Sequence, residues 1–192
     1  GLFLALKAPK LLRAYIITAC TCGASFVIYT YIAELLLSLS NFDRASIASI
    51  LLLYGGSAVV GNLLGGKITD AKGSVLSLRL MLGAQVVIYA LMALSAYSQV
   101  LVLINLCLMG MGAFASISPL KSLAILSSHK YAKGFEDSAI SVNEGAFNVG
   151  IASASALGGV VFAHLGIGWN PIFAALFALP ALILALYTPR SL

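Results

Sequence analysis

Between Arg79 and Lys121 the chain reads LMLGAQVVIYALMALSAYSQVLVLINLCLMGMGAFASISPL, an unbroken run from Leu80 to Leu120 without a charged side chain. A helix needs about 20 apolar residues to cross the hydrocarbon core of a bilayer. The run is about twice too long for one crossing and suits two. The polar break Ser95-Ala-Tyr-Ser-Gln99 divides it. A second uncharged run extends from Gly145 to Pro189 and is punctuated by Gly166-Ile-Gly-Trp-Asn-Pro171, since glycine and proline interrupt helices.

Working outward, the same reading yields six spans, at about residues 14–38, 45–66, 75–96, 99–124, 138–163 and 170–188. Residues 1–13 are then the end of a cytoplasmic linker and 189–192 a cytoplasmic tail. Composition agrees. Of 192 residues, 61% are hydrophobic and 9% charged, against roughly 25% charged in an ordinary soluble domain. Mean hydropathy is +1.05. So few charges cannot make a water-facing surface, so the chain's solvent is lipid. Backbone groups in lipid must pair within the chain. Helices satisfy that requirement, and the period-two alternation of a β-barrel is absent. The expected fold class is an all-α membrane protein with six transmembrane helices.

The net charge of +5 does not point to nucleic acid, because the basic residues lie between apolar runs as topology signals. Six spans place both termini on one side. That side receives Lys7, Lys10, Arg13, Lys67, Lys72, Arg79, Lys121, Lys130, Lys133 and Arg190, and the other receives Arg44. The bias assigns the basic side to the cytoplasm. Trp169 and Tyr97 fall at outer ends, where amphipathic rings prefer the interface. Cys20, Cys22 and Cys107 lie in apolar runs without metal-ligand spacing and read as small packing residues, so no metal is expected. Residue 1 is glycine, which reads as part of a longer chain.

Small residues recur every fourth position: Ser57, Gly61 and Gly65 in span two, and Ala146, Gly150, Ala154 and Gly158 in span five. Such ridges let helix backbones approach closely. Polar side chains also align at 100° per residue. Thr18, Cys22, Ser25 and Tyr29 share a face of span one. Asn105, Met109, Gly112, Ser116 and Pro119 share one of span four, and Glu144, Asn148 and Ser155 one of span five. Lipid has no use for polar stripes, which therefore serve either as glue between helices or as the wall of a polar cavity. Tyr29, Ser25, Asn105, Ser116 and Asn148 are the candidate substrate contacts. A charge at mid-membrane costs about 2.5–3.5 kcal/mol on insertion scales, and burial raises a carboxylate's pKa. Glu144 and Glu34, inside or near the apolar zone, are the proton-coupling candidates. Glu136 and Asp137 precede span five and favour its N-terminus.

Gly61-Asn-Leu-Leu-Gly-Gly-Lys-Ile-Thr-Asp-Ala-Lys-Gly73 joins spans two and three. It resembles the cytoplasmic loop signature of the major facilitator superfamily, with Gly66, Asp70 and Gly73 at matching positions and Ala71 where arginine is usual. Tyr29-Thr-Tyr-Ile-Ala-Glu-Leu-Leu36 resembles span seven of the sugar-efflux and drug/proton antiporter branch. Ala146-Phe-Asn-Val-Gly150 with Ala156-Leu-Gly-Gly159 resembles its span eleven. Glu34 stands where proline is frequent and Lys121 where glutamine is common. The resemblance implies the C-terminal six spans of a twelve-span transporter, built from two inverted three-helix repeats. It implies an inner-membrane, proton-coupled exporter of a sugar or drug, without cofactor. Gly66, Asp70 and Gly73 would form a conformational latch. Six spans cannot enclose a two-half cavity, so the partner would be an N-terminal six-helix half or a second copy, alongside lipid and a small-molecule substrate. Uptake is an alternative direction, and a non-transporting scaffold or receptor an alternative role. An intramembrane enzyme is disfavoured, since H-E-x-x-H, G-x-S-x-G and paired catalytic carboxylates are all missing.

Overall fold

The computed structural model describes residues 9–189; Lys7, Arg190 and most of the expected linker and tail lie outside them. Six helices are long and apolar enough to cross a membrane: Pro9–Ser38, Arg44–Lys72, Ser74–Ser95, Gln99–Tyr131, Glu136–Leu165 and Ile167–Leu186, spans one to six below. The protein is an all-α, multi-pass membrane protein, with no strand among the described residues. Local chemistry sets several ends. The Asp43 side chain accepts from the Ser46 amide at the start of span two, and Ser98 accepts from Leu101 at the start of span four. These are N-cap contacts that satisfy otherwise orphaned donors. Lys10 and Pro189 line one cavity, so the first and last described residues share one end of the bundle.

The connection between spans two and three is shorter than its sequence suggests. Span two continues helically to Lys72, and Gly73 alone turns the chain, at φ +77°. That left-handed conformation favours glycine. Gly66, placed by the sequence in the segment joining spans two and three, is helical, and a Cβ there would meet nothing within 4 Å. The helix wins because every backbone group near the membrane gains an internal partner by continuing it.

The bundle is built from two glycine-mediated pairs. Spans two and four pack backbone to backbone, with Gly61 against Met111 and Gly65 against Ala115. Spans one and five do the same, with Gly150 against Ala19, Gly23 against Gly150, and Gly158 against Val27. None of these sites has room for a Cβ. Spans three and six form the third extensive pairing. Exchanging one, two, three with four, five, six swaps the first two pairings and maps the third onto itself, with chain direction reversed, which is the inverted three-helix repeat. Sequence comparison of the two triplets shows no such match residue by residue; the repeat lives in the packing.

Candidate functional site

Spans one and four, equivalent in the repeat, are both interrupted along their length. Span one is interrupted into Pro9–Ala24, Phe26–Tyr29 and Ile32–Ser38, and span four into Gln99–Ala115 and Ile117–Tyr131. Pro119 accounts for the second break. It has no N–H to offer the carbonyl four residues earlier, that of Ala115. No proline lies near the interruptions of span one. There Tyr31 N–H bonds Ile28 O at 3.0 Å and so leaves the Val27 carbonyl, four residues back, without its helical donor.

Side chains from neighbouring spans bond the chain at both places. Asn170 Nδ2, on span six, donates to Val27 O at 2.8 Å and to Gly158 O at 3.1 Å. Gln85 Nε2, on span three, donates to Gly112 O at 2.7 Å and to Ser116 Oγ at 2.5 Å. Tyr89 OH donates to Gln85 Oε1 at 3.3 Å and lies beside Ser25. Ser25, Tyr89, Gln85 and Ser116 are all buried. A chain of polar groups therefore runs through the core from the first break to the second. Ser25 and Ser116, expected as substrate contacts, belong to this chain. Gln85, Tyr89 and Asn170 were not singled out by sequence. Each is a polar residue in an apolar run, which was the available signal.

Beside this chain, spans one, four and five enclose a cleft of about 160 Å³ lined by Thr18, Cys22, Ile117, Leu120, Lys121, Asn143, Glu144 and Phe147. Thr18 Oγ donates to Asn143 Oδ1 at 2.9 Å in a buried contact. That bond occupies the amide oxygen and directs the amide's donors elsewhere. Glu144 thus shares a cleft with a lysine, an amide and a hydroxyl. Lys121 was counted as a topology signal and noted as standing where glutamine is common, without a place in the site, and Asn143 was overlooked because it lies off the Glu144–Asn148 stripe. The clue for Lys121 was its distance from the end of its helix, which runs on to Tyr131.

The other expected residues are dispersed. Tyr29 stacks on Tyr54 at 4.8 Å, and both line a separate cavity of about 420 Å³ with Asn62 and Phe114. Asn105 is buried with its Oδ1 unpartnered. Asn148 is exposed, one turn beyond Glu144, and donates to the Glu144 carbonyl at 3.0 Å. Ser155, the end of that stripe, docks on span one instead, through Thr30 at 2.9 Å and through Tyr31 bonding its carbonyl. Glu34 is exposed and lines a cavity with Tyr97, Gly166 and Trp169 at the opposite end of the bundle from the termini, so the two carboxylates do not share a site. Asp70 is exposed in the last turn of span two, where the helix dipole disfavours negative charge. No group of three or more metal-ligating side chains occurs among the described residues.

No family model matches the chain. It is similar to the protein named Uncharacterized MFS-type transporter YtbD of Bacillus subtilis, 31% identical over 175 residues, covering 91% of this chain and 44% of that protein. It is 32% identical over 189 residues to Inner membrane transport protein YdhP of Escherichia coli, covering 97% and 47%. To a Probable sugar efflux transporter of Pasteurella multocida it is 25% identical over 178 residues, covering 93% and 43%. The chain spans about half the length of the curated relatives it matches. With six membrane helices in two inverted triplets, and similarity to these transporters along nearly its whole length, the chain belongs to the major facilitator superfamily.

Proposed function

We propose that the chain is the C-terminal half of a secondary active transporter that exports a small organic molecule, such as a sugar or a drug, in exchange for protons. No cofactor takes part, and the proton gradient is the energy source. The observation that carries this reading is the cleft between spans one, four and five, where Glu144 lies with Lys121, Asn143 and Thr18 at the two interrupted helices. Interrupted helices at corresponding places of an inverted repeat are where transporters build their binding sites. Glu144 is the proton-carrying group in this reading. Glu34, at the far rim, serves the outer mouth.

The partner half fits the same picture. Spans two and five are the least covered helices, with Gly55, Gly56, Asn62, Glu144, Asn148 and Ser153 exposed on them. Lipid gives such polar and glycine-rich faces no partner. A second six-helix unit, from the same polypeptide or a second copy, covers them and closes the cavity. Rocking of the two units opens it to each side in turn. Asp70 steadies one of those states: at a helix C-terminus it gains by pairing with a donor or cation of the other unit.

In inverted membrane vesicles containing the native polypeptide, a transported solute should move protons, read by a pH-sensitive dye. Glu144→Gln should abolish that movement. A trace that ignores every solute would leave a scaffold or receptor role instead.

A further inference from the structure

Resting on the transporter reading, we propose that Lys121 makes the cleft between spans one, four and five selective for a small organic acid that also carries hydrogen-bond donors, an amino-acid-like zwitterion being its fullest match. A lysine set back inside a membrane-crossing helix is costly and needs a reason to be there. Topology does not supply one. Lys130 already stands in the last turn of the same helix and Lys133 just beyond it. Lys121 lies ten residues before the helix end at Tyr131 (131 − 121 = 10), about 15 Å by helical rise.

The cleft around it is assembled for two kinds of group. From span five come Asn143 and Glu144, from span one Thr18 and Cys22, and from span four Ile117 and Leu120 beside Lys121 itself. With its oxygen held by Thr18, the Asn143 amide offers N–H donors. Together with the Lys121 ammonium it forms a donor pair for a carboxylate. Glu144 is the one acidic residue in the lining, and its oxygens accept from an ammonium or hydroxyl on the same molecule. Phe147, Ile117 and Leu120 supply the apolar wall that orients a ligand between polar groups. A neutral sugar would leave Lys121 unmatched.

The test uses the native full-length polypeptide in lipid nanodiscs, with binding read by ligand-dependent thermal stabilisation. The probes are alanine, glutamine and glucuronate, with glucose, lactose and tetraphenylphosphonium for comparison. An acidic probe should bind wild type. Lys121→Gln should weaken it about tenfold or more, the scale of a lost charge-assisted hydrogen bond, and Lys121→Arg should retain most of the affinity. Unchanged binding of acidic probes in Lys121→Gln overturns the proposal. So does wild type that binds and moves glucose or lactose and ignores the acids, an outcome that leaves the transporter reading standing. If no probe of any charge binds or crosses the membrane, both readings fall.

Discussion

Gly158→Ala places a methyl group where spans one, five and six meet. Its Cβ would lie 2.6 Å from the Val27 carbonyl oxygen, 3.0 Å from Tyr31 Cε2 and 3.3 Å from Asn170 Nδ2. The first of these is backbone, which no rotamer change can move. Restoring even the short limit of ordinary contact, 3.4 Å, requires a shift of 0.8 Å (3.4 − 2.6). The same shift pulls at the hydrogen bonds from Asn170 to Val27 O and Gly158 O that satisfy the break in span one. Overpacking costs about 1–3 kcal/mol, and a weakened buried hydrogen bond adds about 1 kcal/mol. Together they amount to about 2–4 kcal/mol. At about 2–4 °C per kcal/mol for a chain of this size, Tm should fall by about 5–15 °C. The assay is thermal unfolding of the purified native polypeptide in lipid nanodiscs. Gly145→Ala, on the same helix with nothing within 4 Å of its Cβ, is the control. It should be neutral or gain up to about 1 kcal/mol from helix propensity. If Gly158→Ala melts within about 2 °C of wild type, backbone contact between spans one and five is not what holds this part of the bundle.

Three further outcomes follow from named contacts. Gln85→Leu removes both bonds to the span-four break and one to Tyr89; stability should drop by about 2–3 kcal/mol, and transport should slow more than binding weakens, measured by initial flux against equilibrium binding. Arg79 donates to the carbonyls of Ala185, Leu186 and Thr188, so Arg79→Ala should fray the end of span six and cost about 1–3 kcal/mol, with faster backbone hydrogen exchange over 183–188 as the local signature. Asp70→Asn should slow flux while leaving equilibrium substrate binding nearly intact, and a large loss of binding would show that Asp70 belongs to the substrate site.

Span number and order were legible because an apolar run of membrane length needs no knowledge of its neighbours. The run from Leu80 to Leu120 had to be two helices whatever they packed against. The close-packing glycines were legible for a related reason. Four-residue spacing puts Gly61 and Gly65, or Gly150 and Gly158, on one side of a helix, and such a side suits another backbone. What stayed hidden depends on tertiary context. Span one breaks at Ser25 and again at Thr30–Tyr31 with no proline nearby, and the second break goes with a shortened hydrogen bond at Tyr31 and an amide supplied from Asn170, which is distant in sequence. Gln85 and Tyr89 sit among apolar neighbours, and only the packed bundle shows that they join two breaks. The stripe through Glu144 and Asn148 marks a polar face of span five. It missed Asn143, whose place in the cleft comes from pairing with Thr18. Gly66 shows the reverse error: a glycine assigned to the connection between spans lies inside a helix that membrane-side hydrogen bonding extends.

The central claim is that the polar face of span five lines a water-filled path that opens to the two sides in turn. Thiol accessibility at position 148 tests it most directly. Asn148 is exposed beside Glu144, so Asn148→Cys can be introduced into the native polypeptide after its other cysteines are replaced by serine. A membrane-impermeant maleimide is then applied from each side, with and without a proton gradient. The account predicts reaction from an aqueous side and a several-fold change in rate when the gradient is imposed. A cysteine that reacts only with lipid-soluble reagents, at a rate indifferent to the gradient, would mean that this face is covered by lipid and that no transport path runs along it.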